Sequence, residues 1–247
     1  MPSSATTLLR TIRGVPLPKA PRPCVVGVDD WALRKGRTYG TIVVDLERHK
    51  GIPRNPFINA GAIVVADVIL SHYDDPEAAF LEFMRERAGN PDIGRDDEIW
   101  ESERKSGYRN VALANFIRSF GNIENDVQAV LDFYYFQCAL KMNCIDLARS
   151  LQFLADRGRC PSSGEQVTSI ERARRTNAVM MTCGTYDAAG EFAFHVGLPA
   201  KSGVGGGIVA VVPHVLNLCV WSPALDDKGN SQLGAYALHR FTRMTGL

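Results

Sequence analysis

The chain has 247 residues, 28 lysines and arginines against 27 aspartates and glutamates, a formal charge of +1 and 45% hydrophobic residues. That balance excludes the strongly basic face of a nucleic-acid binder and gives no polybasic surface for anionic membranes. No apolar run approaches bilayer-spanning length, and the chain is long enough to bury a sizeable core as one domain or two small ones.

In chain order, residues 1 to 45 have turn-rich composition and no clear periodicity. Their first 23 residues are basic and lack acidic side chains, a faint likeness to a transit peptide, but they contain no contiguous apolar core and read as a non-structural segment. From there to about 185 the signals are helical. Pro53 and Pro56 hold the run from Ile52 to Val65 (IPRNPFINAGAIVV) extended at its start, Asn55 and Asn59 lie one helical turn apart, and the apolar residues Ile63 to Ile69 call for a helix. Asp75–Pro76 opens a second helix that Gly89 can end. Val127, Val130, Leu131 and Tyr134 recur at helical spacing, as do Leu147, Leu151, Leu154 and Ala155 before Gly158.

Residues 159–170 read as a surface loop. Beyond about 185, Glu191–Val196, Gly206–Val212 and Leu216–Trp221 read as short strands, the last two as a hairpin about Pro213–His214, and residues from about 230 to 245 return to helical spacing. Helices followed by an antiparallel sheet and a closing helix imply an α+β fold with a helical part beside a sheet part. The six cysteines, Cys24, Cys138, Cys144, Cys160, Cys183 and Cys219, form no CxxC pair and no metal-ligand spacing, so no metal or other cofactor is expected. Cys138, Cys144 and Cys183 read as reduced core thiols, which points to a reducing, cytoplasmic setting.

Five segments carry chemistry. The first is Asn59 in NAGA, and the second is ESERKSGYRN with Glu103 and Asn110. The third is Leu131 to Cys138 (LDFYYFQC), and the fourth is CGTYD with Tyr186. The last is FAFHVGLPAKSGVGGGIVAVVP, in which Lys201–Ser202–Gly203 leads through glycines into a strand. No GK[ST] follows those glycines and no helix starts there, so a nucleotide-binding reading fails. Together, and in this order, the segments resemble the serine-dependent glutaminases, whose fold is related to the β-lactamases and penicillin-binding proteins.

The resemblance implies a serine β-lactamase-like α+β fold and hydrolysis of L-glutamine to L-glutamate and ammonia through an acyl-enzyme. It implies amide contacts to substrate from Asn59 and Asn110, and a carboxylate for the substrate ammonium at Glu103. Tyr134, rather than Tyr135, is the implied active-site tyrosine, Tyr186 the implied proton-transfer phenol, and the backbone N–H of Val204 an oxyanion-hole donor. It also implies a homotetramer. The domain expected is 46–247, incomplete, behind a divergent or non-homologous segment 1–45.

The family's Ser-x-x-Lys, expected upstream of NAGA, is not found in residues 1–58, where the only serines are Ser3 and Ser4. The likeness continues through Asp45–Glu47 and stops near residue 40. Such an abrupt break reads as a truncated or frameshifted gene, or a degenerate copy, and it predicts an exposed sheet edge and apolar face with low solubility. Cys24–Val28 and Thr41–Val44 are the candidates to replace the missing strands. Ser102–Glu–Arg–Lys105 is the one Ser-x-x-Lys present, which makes Ser102 a weak candidate nucleophile. Cys183 lacks a nucleophile elbow, and His195 reads as a strand residue. The readings in competition are a glutaminase with an unrecognised nucleophile, a non-catalytic glutamine- or glutamate-binding homologue, a damaged reading frame, and a β-lactamase-type enzyme supported only by Lys201–Gly203.

Overall fold

The computed structural model describes residues 51–247 apart from residue 54, together with the two strands β1 (Gly27–Asp30) and β2 (Thr41–Val44). These two strands pair with each other, antiparallel, with Gly27 opposite Val44. The expectations for Ser3, Ser4, Cys24 and Asp45–Glu47 concern residues outside the described ones.

The helical part begins where the Pro53–Pro56 loop ends. Asn55 forms an Asx turn, its Oδ1 accepting the Phe57 N–H at 2.9 Å, and α1 (Asn59–Leu70) starts two residues later. Gly61 is required there: a Cβ on it would stand 2.0 Å from the Asn55 carbonyl oxygen, so only glycine lets the helix close against its own entry loop. Ile63 and Ala66 are buried while Val65 and Val68 stay exposed, so the apolar run is covered on one side only. The buried Asp67 carboxylate accepts the N–H groups of Glu124 and Asn125, at 2.9 and 3.0 Å, and thereby holds the 120s loop to α1.

Helix α2 (Pro76–Ala88) follows the expectation, with Asp75 as N-cap, Pro76 at the first position and Gly89 in the left-handed C-cap. After a two-residue strand β3 (Gly94–Arg95) come α3 (Asp97–Ser106), α4 (Tyr108–Ser119) and α5 (Val127–Cys138). Strand β4 (Leu140–Lys141) pairs with β3. Ile63, Ile117, Leu131 and Tyr135 sit in the core of this part, where burying each aliphatic side chain stabilises the fold by about 1.5–3 kcal/mol.

The helix expected to run to Gly158 is shorter. Helix α6 (Cys144–Ser150) gives way to a 3₁₀ turn at Gln152–Leu154. Side chains from elsewhere take the carbonyls here, Asn217 at Ala148 and Asn177 at Leu154. Within the 159–169 loop, Cys160 is buried. Helix α7 (Ile170–Cys183) then leads into a 3₁₀ turn at Tyr186–Ala188.

The strand expected at Glu191–Val196 is instead helix α8 (Ala189–His195). The alternation Phe–Ala–Phe–His imitates a strand, but Phe192 and Val196 are the buried pair, four residues apart, and Phe194 is 84% exposed. The sheet is β5 (Ala200–Ser202), β6 (Gly207–Val212) and β7 (Leu216–Trp221), antiparallel in that order, with the expected hairpin closing at Val212 opposite Leu216. Ala200, Ile208, Ala210 and Val212 face Leu238 of the closing helix α9 (Gln232–Thr245). Lys201 alternates to the other face with its partner Val209 and with Val211, which packs on α7 residues Ala173 and Met180. The cysteines correct the reading of core thiols: Cys138 is exposed, and Cys144 and Cys183 are half-buried.

Candidate active site

Asn59, Glu103, Asn110 and Tyr134 lie on α1, α3, α4 and α5 of the helical part, and Tyr186, Lys201 and Val204 lie on or beside the β5 edge of the sheet. Asn59 is the first residue of α1, and its Nδ2 donates to Oδ1 of the buried Asn110 on α4 at 2.8 Å. Asn110 also bonds the Tyr135 phenol, which in turn donates to the Gly107 carbonyl oxygen at 3.3 Å.

Glu103 is half-buried on α3. That helix is held to α5 by the Trp100 indole N–H on the Asp132 carbonyl and by Arg104 on the Asp132 carboxylate at 2.8 Å. Burial raises the Glu103 carboxyl above its ordinary pKa, and its charge is felt by Tyr134, Tyr135 and Cys138. Tyr134 is buried and hydrogen-bonded to Cys138 one turn on, and burial first, with that thiol second, puts its phenol well above the usual range. Cys138 keeps an open face, yet the protein hemming its thiol pushes the pKa up to about 11.

Cys138 connects this group to the sheet, because it senses Lys201 and is sensed by Tyr186. Lys201 donates from Nζ to the Ser202 carbonyl, and the ammonium lies 4.7 Å from the centre of the Tyr186 ring. Burial lowers the Lys201 pKa to about 8. The Tyr186 phenol donates to the same Ser202 oxygen at 2.8 Å, and burial raises its pKa. Tyr186 itself has φ +59°, a left-handed conformation that costs an L-residue about 1–2 kcal/mol. CGTYD meets the Lys-Ser-Gly strand through Gly184, whose carbonyl accepts the Ser202 N–H at 3.0 Å. A Cβ at Gly184 would stand 1.8 Å from the Ala200 oxygen. Val204 is exposed in the turn between β5 and β6, which is closed by Gly203 N–H to Gly207 O and Gly206 N–H to Gly203 O, both 2.9 Å.

The expected residues thus fall into two groups: Asn59, Glu103, Asn110 and Tyr134 on the helical part, and Tyr186 with Val204 around Gly229 beside the sheet. Ser102 belongs to neither. It is exposed on the outer face of α3 among Asp97, Glu98, Glu101 and Lys105, while Glu103 turns inward. His195 stacks on His239 at 5.4 Å, on the far side of the sheet from Lys201. Cys138 and Tyr135 are members that sequence reasoning left out. The i, i+4 spacing of Tyr134 and Cys138 was a usable signal for the first. Among the described residues no group of three or more His, Cys, Asp or Glu side chains could hold a metal ion.

A helical part packed on an antiparallel sheet, with Lys-Ser-Gly on the edge strand, defines a protein of the serine β-lactamase-like class. A profile of the glutaminase family matches residues 35–247, and the chain belongs to that family. It is 54% identical over 205 residues to a glutaminase of Streptomyces coelicolor, covering 83% of this chain and 66% of that protein. A glutaminase of Agrobacterium fabrum is 54% identical over 213 residues, covering 85% and 69%. A crystal structure of Mglu in its glutamate form superposes with a TM-score of 0.76 at 35% identity, covering 81% of this chain and 46% of that one. A Bacillus glutaminase in 4.3 M NaCl gives 0.76 at 34%, covering 82% and 70%. The chain thus spans about two thirds of the length of these curated relatives.

Proposed function

We propose that this chain is a glutaminase: it binds L-glutamine and hydrolyses the side-chain amide to L-glutamate and ammonia. The observation that carries the reading is the bond joining Asn59 to Asn110, with Asn110 and the half-buried Glu103 carboxylate both acting on the Tyr135 phenol. In this reading Glu103 faces the substrate ammonium, where an enclosed cation needs an anionic partner. Asn59, Asn110 and Tyr134 hold the polar ends of the amino acid. The Val204 N–H receives the oxyanion as a nucleophile, which is not among the residues assigned above, attacks the amide carbonyl. Tyr186, beside the Lys201 ammonium, passes the proton that nucleophile gives up to the amide nitrogen, which leaves as ammonia. Water then hydrolyses the acyl-enzyme to L-glutamate. Self-association to the family's tetramer and a cytoplasmic location complete the proposal. The location is supported by the free thiols of Cys138, Cys144, Cys160, Cys183 and Cys219.

One observation favours a second reading, a non-catalytic homologue that binds glutamine or glutamate. Residues 1–58 contain no Ser-x-x-Lys, and Ser102 is exposed on the outer face of α3 among Asp97, Glu98, Glu101 and Lys105. Ammonia release from L-glutamine by the purified chain, with L-asparagine as control, separates the two. Release above the control supports hydrolysis. Silence from folded protein that still binds glutamate supports the homologue.

A further inference from the structure

Tyr186 carries a backbone conformation that its residue type resists, so neighbouring groups must hold it. The nearest candidate is the segment Asp226–Asn230. Asp226 Oδ1 accepts the N–H groups of Lys228 and Asn230, at 2.9 and 2.8 Å, and the Asp226 N–H returns to the Asn230 carbonyl at 2.8 Å. This shapes a tight turn whose Gly229, at φ +89°, faces the Tyr186 ring: a Cβ there would stand 3.7 Å from the ring and 3.9 Å from Val204 Cγ1. Lys228 ties the turn to α8 through Glu191 at 2.8 Å.

Asn230 is the buried end of the turn. Its Nδ2 donates at 3.3 Å to the carbonyl of Thr185, the residue that precedes Tyr186 and whose oxygen also accepts the Ala188 N–H. The Asn230 Oδ1 has no hydrogen-bond partner among the described residues, so the side chain spends its one bond on Thr185.

We infer that Asn230 is a positioning residue that fixes the backbone of Tyr186 through the Thr185 carbonyl, with Gly229 supporting the ring. The inference rests on the glutaminase reading only for its functional consequence; the positioning itself is a property of the fold. Two donors on the Thr185 carbonyl fix the peptide that sets the φ of Tyr186, and the Gly229 backbone limits the ring's tilt towards Val204.

The test uses the full chain labelled with ring-13C tyrosine, the Tyr186 signal being assigned from Tyr186→Phe. Asn230→Ala removes the donor, and Asn230→Ser, a smaller perturbation, leaves a hydroxyl too short to reach Thr185. In both, the Tyr186 signal is expected to move or split while the Tyr134 signal stays in place, and ammonia release from L-glutamine is expected to fall about three- to tenfold with glutamate affinity little changed. A Tyr186 signal unmoved in both folded variants, with only the melting temperature lowered, overturns the inference. A moved signal in a chain whose wild type binds no glutamate upholds the positioning and overturns the substrate reading instead.

Discussion

Asn59 and Asn110 lie 51 positions apart in sequence, and their side-chain amides meet at 2.8 Å, joining the first residue of α1 to the buried face of α4. The bond fixes the two amides: Asn110 Oδ1 is engaged, and its other end is turned to the Tyr135 phenol. The carboxamides of two separate sequence segments thereby act as one unit.

Residues acting as a unit are non-additive. Asn59→Ala and Asn110→Ala should each lower stability, and the double variant should lose less than their sum, by a coupling of about 0.5–1.5 kcal/mol. Urea unfolding of the four proteins measures it, and strict additivity would remove the bond from the account.

Glu103→Gln should weaken L-glutamate binding about tenfold or more, the scale of a hydrogen bond to a charged group. Because burial raises the Glu103 pKa, its charge is lost on acidification earlier than for an ordinary carboxylate, so wild-type affinity should fall at a pH above that range. Titration calorimetry across pH checks both, and equal affinity in the variant would take Glu103 out of the site.

Lys201 gives a pH signature with a definite sign. Its pKa falls from 10.5 to about 8 in the folded chain, so between those values the unfolded chain holds a proton that the folded one has released. Stability contributed by this group therefore rises with pH across that window. Lys201→Met should remove the rise, seen as the difference between wild-type and variant melting curves from pH 8 to 10. Parallel curves would contradict the buried ammonium.

Tyr186→Phe keeps the ring against Gly229 and Lys201 and deletes only the hydroxyl that reaches Ser202. Glutamate affinity should change little while ammonia release drops about 10²-fold or more, the scale of a positioned proton donor. Unaltered turnover would rule out the proton-transfer role.

Much of this was legible in the sequence because local chemistry and tertiary structure agree there. Asp75–Pro76 with Gly89, the Val127–Tyr134 spacing and the β6–β7 hairpin each carry their own start and stop signals. The failures have physical causes. Phe192–His195 alternates like a strand, but Phe192 and Val196 meet the sheet with helical spacing. The helix from Cys144 ends early where Asn217 and Asn177, distant in sequence, take carbonyls of the 148–154 stretch. Cys138 reads as core because its helix is apolar on several faces, and only the position of the sheet brings the Lys201 charge to act on its thiol. Asn230 carries no motif of its own, and its partner Thr185 is 45 residues away.

The central claim is that Asn59, Asn110 and Glu103 hold a five-carbon amino acid whose side chain ends in an amide or an acid. Calorimetric titration of the purified chain with L-glutamate, against L-aspartate, tests it most directly. The account predicts saturable one-site binding of L-glutamate and none of the shorter L-aspartate. Folded protein that binds neither, or both equally, would contradict it.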